Sequence, residues 1–101
     1  PLVAPVRTFV WRNIRRKFSL DELAHETGMS KYHFCRVYKD LTGKTPMAHV
    51  REMRVDHAKE LVLTTDMPLK MIADLSGLGD EHQLSRSLMK ILRIRPGALR
   101  R

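Results

Sequence analysis

One unit is written twice in this chain. Residues 22–46 stack on residues 71–96 with Ala24 over Ala73 and Gly28 over Gly77 at an offset of 49. The offset then becomes 50, and Phe34 falls over Leu84, Arg36 over Arg86, Tyr38 over Leu88 and Pro46 over Pro96. Two copies of one helical unit are the simplest account of this pattern. A chain of 101 residues has room for two half-size units and a connector, so a large substrate pocket is not expected.

In the first copy, Ser19-Leu20-Asp21-Glu22 has the form of a capping box, in which the Ser hydroxyl and the Glu carboxylate each satisfy a free backbone donor at a helix start. Leu20, Leu23 and Ala24 then face inward. Gly28 tolerates the left-handed conformation that ends helices, and Ser30 can cap a second helix after a short turn. That second helix, about residues 31–42, places Phe34, Val37, Tyr38 and Leu41 on a core-facing stripe. Its other face carries Lys31, Tyr32, Cys35, Arg36 and Lys39, types that bond bases and phosphates. A covering helix over residues 6–16 is expected to bury Val6, Phe9, Val10 and Ile14.

Thr45-Pro46 pairs an N-cap with Pro at the first helical position and opens a long helix to about Leu63. Val50, His57, Ala58, Leu61 and Val62 lie on its packing side, with Arg51, Glu52, Asp56, Lys59 and Glu60 solvated. Roughly 18 residues at 1.5 Å each span about 27 Å, approaching the roughly 34 Å between successive major-groove sites. In the second copy a helix opens at Pro68 and Leu69, buries Leu69, Ile72 and Ala73 and ends near Gly77. Gly79 or Asp80 caps the next helix, whose inner stripe is Leu84, Leu88 and Ile91. Glu81, His82, Gln83, Ser85, Arg86, Met89 and Lys90 form its more exposed set, and only a short turn follows Pro96. The expected fold is all-α with about seven helices: two helix-turn-helix subdomains, residues 1–45 and 66–101, joined by a linker helix over 46–65.

Nineteen Lys and Arg against eleven Asp and Glu give a formal charge of +8, the balance of a polyanion binder. Residues 1–50 hold nine basic and four acidic side chains and the remainder ten and seven, so both halves are basic. The single Cys35 excludes an intramolecular disulfide, and a cytoplasmic location is expected. No apolar run approaches the roughly 20 residues of a membrane span, and the first residues lack a signal-peptide pattern. A start at Pro1 reads as a fragment, with an upstream sensor or dimerisation domain expected.

With these motifs in order, the chain resembles the DNA-binding domain of the AraC/XylS family of bacterial transcription regulators. The resemblance is carried by FSLDELAHETGMSKYHFCRVYKDLTGKTP, by REMRVDHAKELVLTTD and by PLKMIADLSGLGDEHQLSRSLMKILRIRP. It implies two recognition helices in successive major grooves of double-stranded DNA, often with bending, and activation of transcription by engaging RNA polymerase. By position it puts base contacts on Tyr32, Cys35 and Arg36, and on Glu81, His82, Gln83, Ser85 and Arg86. The second unit departs from the family pattern: Gly-Phe-Ser reads Gly77-Leu78-Gly79, the inward aromatics are Leu84 and Leu88, and the Gly after the helix is Arg93. Arg93 would strain a turn that required positive φ there. These departures predict that the second unit binds more weakly or reads fewer bases.

Each candidate has a plainer alternative. Arg36 and Arg86 can donate bidentate pairs to guanine O6 and N7, or sit on phosphates. Tyr32 can touch a thymine methyl or sugar edge, or pack on the neighbouring helix. Ser30, Lys31, Lys39, Lys44 and Lys90 are candidate backbone contacts, with solvated lysines as the alternative. Cys35 beside Arg36 and Lys31 raises a redox or alkyl-acceptor reading, against a small side chain touching a base. His25, His33, His49, His57 and His82 form no metal-ligand pattern, and Met47, Met53 and Met71 fall at core positions by spacing. No catalytic constellation and no cofactor are indicated. Two other functions stay open: a non-specific architectural or RNA-binding protein, which the charge alone would support, and a Cys35-dependent DNA alkyl acceptor.

Overall fold

Side chains at the helix ends set the boundaries. Ser19 Oγ accepts from Glu22 N–H at 3.1 Å, Ser30 Oγ from His33 N–H at 3.2 Å and Thr45 Oγ1 from Ala48 N–H at 3.3 Å. Each satisfies a donor that a helix start leaves unpaired. The computed structural model describes residues 2–99. In chain order the helices are α1 (Val3–Arg12), α2 (Leu20–Thr27), α3 (Lys31–Thr42), α4 (Pro46–Thr64), α5 (Leu69–Ser76), α6 (Glu81–Leu92) and the short α7 (Pro96–Leu99). No strand occurs among the described residues. The chain separates into two compact units between Arg51 and Glu52, inside α4.

In the first unit Val6, Val10, Ile14, Phe18, Leu23, Ala24, Phe34, Tyr38 and Val50 are buried. Phe9 and Phe18 meet edge to face at 5.2 Å, as do Phe34 and Tyr38 at 5.6 Å, the arrangement favoured by the ring quadrupoles. Helix α1 starts earlier and stops earlier than the expected 6–16. Its stop is Asn13, whose side-chain amide donates to the Phe9 carbonyl at 2.8 Å and so takes an acceptor that the helix end leaves free. Arg16 consolidates the corner: it donates to Asn13 Oδ1 at 2.9 Å, pairs with Glu22 at 2.9 Å and lies over the Phe9 and Phe18 rings. The hydrogen bond from Arg16 holds the Glu22 carboxyl below the ordinary carboxylate range.

Two apolar residues are not where spacing puts them. Leu41 is 61% exposed and Met71 50% exposed. Leu41 continues the stripe of Phe34 and Tyr38 past the part that the unit covers, whereas Met71 lies on the side of α5 away from the buried Ile72, Ala73 and Ser76.

In the second unit Val55, Ala58 and Val62 of α4 pack with Ile72, Ala73, Leu78, Leu84 and Leu88. Leu in the slots of Phe34 and Tyr38 keeps this core closed, since Leu84 and Leu88 are fully buried. Ser76, also buried, donates to the Ile72 carbonyl at 2.7 Å, which removes the cost of an unpaired hydroxyl. Arg93 ends α6 with φ 59° and ψ 31°, so the positive φ that its position raised as a concern is present. Arg54, in the middle of α4, is buried, and burial pulls its pKa below the ordinary guanidinium value.

Candidate nucleic-acid interface

The outward face of α3 is built from residues whose neighbours hold them on the surface. Phe34 and Tyr38 turn inward, so Tyr32, His33, Arg36 and Lys39 are exposed, while Lys31 and Cys35 are half-buried. Tyr32 is 81% exposed and does not pack on the neighbouring helix, the alternative its sequence position left open. Lys31 Nζ stands 5.5 Å over the Tyr32 ring and 3.7 Å from Asp21 Oδ1, so the phenol and the ammonium share one edge of the helix. Arg36 Nη2 lies 3.4 Å from His33 Nδ1. A guanidinium only donates, so in this contact the ring nitrogen is the acceptor. Spacing showed His33 only as a residue without metal partners; its place three residues before Arg36, one turn away on the same face, is the signal that reveals the pair.

Ser30 and Lys44 lie at the two ends of α3. The Ser30 hydroxyl is engaged in capping the helix, and the exposed Lys44 sits in the turn before α4, with its N–H donating to Thr42 Oγ1 at 3.2 Å. The free N–H groups and dipole of a helix start favour an anion there.

In the second unit Asp80, and not Gly79, is the cap: its Oδ1 accepts from Gln83 N–H at 2.8 Å. That hydrogen bond holds the Asp80 carboxyl below its ordinary value, and the charges of His82 and Arg86 act in the same direction. Glu81, His82, Gln83, Arg86, Met89 and Lys90 are exposed along α6, and Ser85 is half-buried. Ser85, Arg86, Met89 and Lys90 also form one side of an open groove of about 540 Å³ completed by Arg95 and Pro96. Three cations on one groove suit a phosphate-bearing strand. No group of three or more His, Cys, Asp or Glu side chains able to hold a metal ion occurs among the described residues.

Comparison with known proteins gives these surfaces a family. The helix-turn-helix domain family matches residues 23–101. The MmsAB operon regulatory protein of Pseudomonas aeruginosa is 26% identical over 110 residues, covering 99% of this chain and 36% of its own length. An AraC-type transcriptional regulator from Chromobacterium violaceum has the same fold, with a TM-score of 0.90, 23% identity and coverage of 99% of this chain and 89% of that one. The chain belongs to the AraC/XylS family. As an AraC/XylS DNA-binding domain it is also similar to that of AdpA, solved in complex with a target DNA, at TM-score 0.89, 27% identity and coverage of 99% of this chain and 89% of that one. This AraC/XylS chain spans only 33–37% of the length of three curated relatives. No helix among its described residues is long and apolar enough to cross a membrane.

Proposed function

We propose that this domain binds double-stranded DNA sequence-specifically, with α3 and α6 as the recognition helices of two half-elements. The observation that carries the reading is the shared slot of Arg36 and Arg86: each is exposed, on a helix capped by a side chain at its start and anchored by two buried residues on its other face. Arg in that position can donate a bidentate pair to guanine, worth about 1–3 kcal/mol of discrimination. Tyr32 and Cys35 complete the reading face of α3, and Glu81, His82 and Ser85 that of α6, where Gln83 lies back over Gly79. Ser30, Lys31, Lys39, Lys44 and Lys90 hold the sugar-phosphate backbone, which sets register and affinity without selecting sequence. The likeness to the AdpA domain, solved with its target DNA, supports this reading.

The module's regulatory role follows from the same reading. RNA polymerase is the second partner, through which an operator-bound regulator changes promoter use, and the site of action is the cytoplasm. Effector sensing and dimerisation belong to segments outside the module, in keeping with relatives about three times its length. Selection from a random duplex pool followed by mobility shift tests the reading. It predicts an enriched motif of two half-elements about one helical turn apart; pools bound without enrichment would instead describe a non-specific binder.

A further inference from the structure

The two copies of the repeat differ by one inserted residue. Met29 alone separates Gly28 from the cap Ser30, whereas Leu78 and Gly79 separate Gly77 from the cap Asp80. Leu78 takes the buried place, 7% exposed, with its N–H donating to the Ala73 carbonyl at 2.9 Å. Gly79 is the residue left over, and its φ of +84° lies where a side chain is strained.

The space above Gly79 is used by Gln83. A Cβ at position 79 would overlap Gln83 Oε1 and stand 2.8 Å from its Cδ, well inside contact distance. Gln83 is the third residue of α6, and its N–H is pinned by the Asp80 cap. Its backbone is therefore held while the side chain lies back over the turn. The first unit has no counterpart of Gly79, and at the position equivalent to Gln83 its His33 meets Arg36, toward the body of α3.

We propose that Gly79 is a specificity-determining position: by leaving room for Gln83 to lie back over the turn, it withdraws that amide from the bases and narrows the reading face of α6 to Glu81, His82, Ser85 and Arg86. The inference rests on the DNA-reading function proposed above and refines it. A glutamine amide facing the major groove accepts from adenine N6 and donates to N7. A side chain at position 79 would push the amide off the turn and offer it for that contact.

Random-duplex selection with the wild-type domain, Gln83→Ala, Gly79→Asn and the double variant tests this, with thermal melting to establish that each is folded. Asn is chosen because it enters the left-handed region more readily than other side chains. With Gly79 in place, Gln83→Ala is expected to leave base preference unchanged at every position and affinity within about twofold. Gly79→Asn should add a preference for adenine of about fivefold or more at one position of the second half-element, and the double variant should lose it. A changed preference in Gln83→Ala, or an unchanged motif in a folded Gly79→Asn, overturns the proposal. Should Gly79→Asn fail to fold, the Gln83→Ala result alone decides between a withdrawn and a reading glutamine. Absence of any motif for the wild-type domain would remove the DNA-reading function itself and this inference with it.

Discussion

The Tyr38 hydroxyl lies 2.5 Å from His49 Nδ1, joining the buried side of α3 to the first turn of α4. The Tyr38 ring is fully buried between Phe34 and His49, 5.6 Å and 5.7 Å away. Burial, opposed by the charge of Arg7, raises the Tyr38 pKa above its ordinary 10.0. The folded state thus favours the neutral phenol, whose stabilisation is complete below the unfolded pKa and is lost as pH rises through the folded one. Tyr38→Phe keeps the packing and removes the hydrogen bond, so urea unfolding at neutral pH should show a loss of about 1 kcal/mol. A double-mutant cycle with His49→Ala should give a coupling energy of about 0.5 kcal/mol or more; additive losses would mean the contact contributes nothing.

Leu41 and Phe34 belong to one stripe in the sequence and to opposite environments in the fold. Phe34→Ala should lower stability by about 3–5 kcal/mol through the cavity it leaves. Leu41→Ser, at 61% exposure, should stay within about 0.5 kcal/mol of wild type. Chemical denaturation of both variants checks the pair.

Arg93 closes α6 at φ 59°, a conformation that strains any residue with a Cβ. Arg93→Gly should therefore raise the melting temperature, by an amount corresponding to about 1 kcal/mol. Gly28→Ala is the converse test: Gly28 has φ +74°, and a methyl group added there would meet nothing within 4 Å, so its loss of stability, also about 1 kcal/mol, comes from the backbone alone.

His57 is half-buried on α4, and burial lowers its pKa from the ordinary 6.5. The fold favours the neutral ring. Its contribution to stability is therefore full above pH 6.5 and declines as pH falls from there through the lower folded pKa. Melting temperatures measured downward from neutral pH should show that decline, and His57→Gln should flatten this part of the profile.

Much of this architecture could be read from residue types at helix ends. Ser30 marked the start of α3 and Gly28 the end of α2, because a cap and a left-handed residue act locally and leave a local trace. Asn13 escaped notice because its role depends on a side-chain bond to Phe9 that no periodicity records. Arg54 was missed for a different reason: α4 supplies Val50 to the first unit and Val55, Ala58 and Val62 to the second core, so no single apolar stripe defines its buried side. On the candidate interface, helical register placed Tyr32, Arg36 and Arg86 outward. It allowed His33 to meet Arg36 and Gln83 to reach Gly79, three and four residues away, but did not choose those rotamers among the others open to each side chain.

Base preferences of Arg36→Ala and Arg86→Ala, read by quantitative competition on variants of the selected site with Lys39→Ala as control, test the central claim most directly. Arg36→Ala is expected to relax one position in one half-element and Arg86→Ala one position in the other, each by about 1–3 kcal/mol of discrimination, while Lys39→Ala weakens all sequences alike and reduces the salt slope by about one. Uniform weakening by the two arginine variants, with every base preference intact, would contradict it.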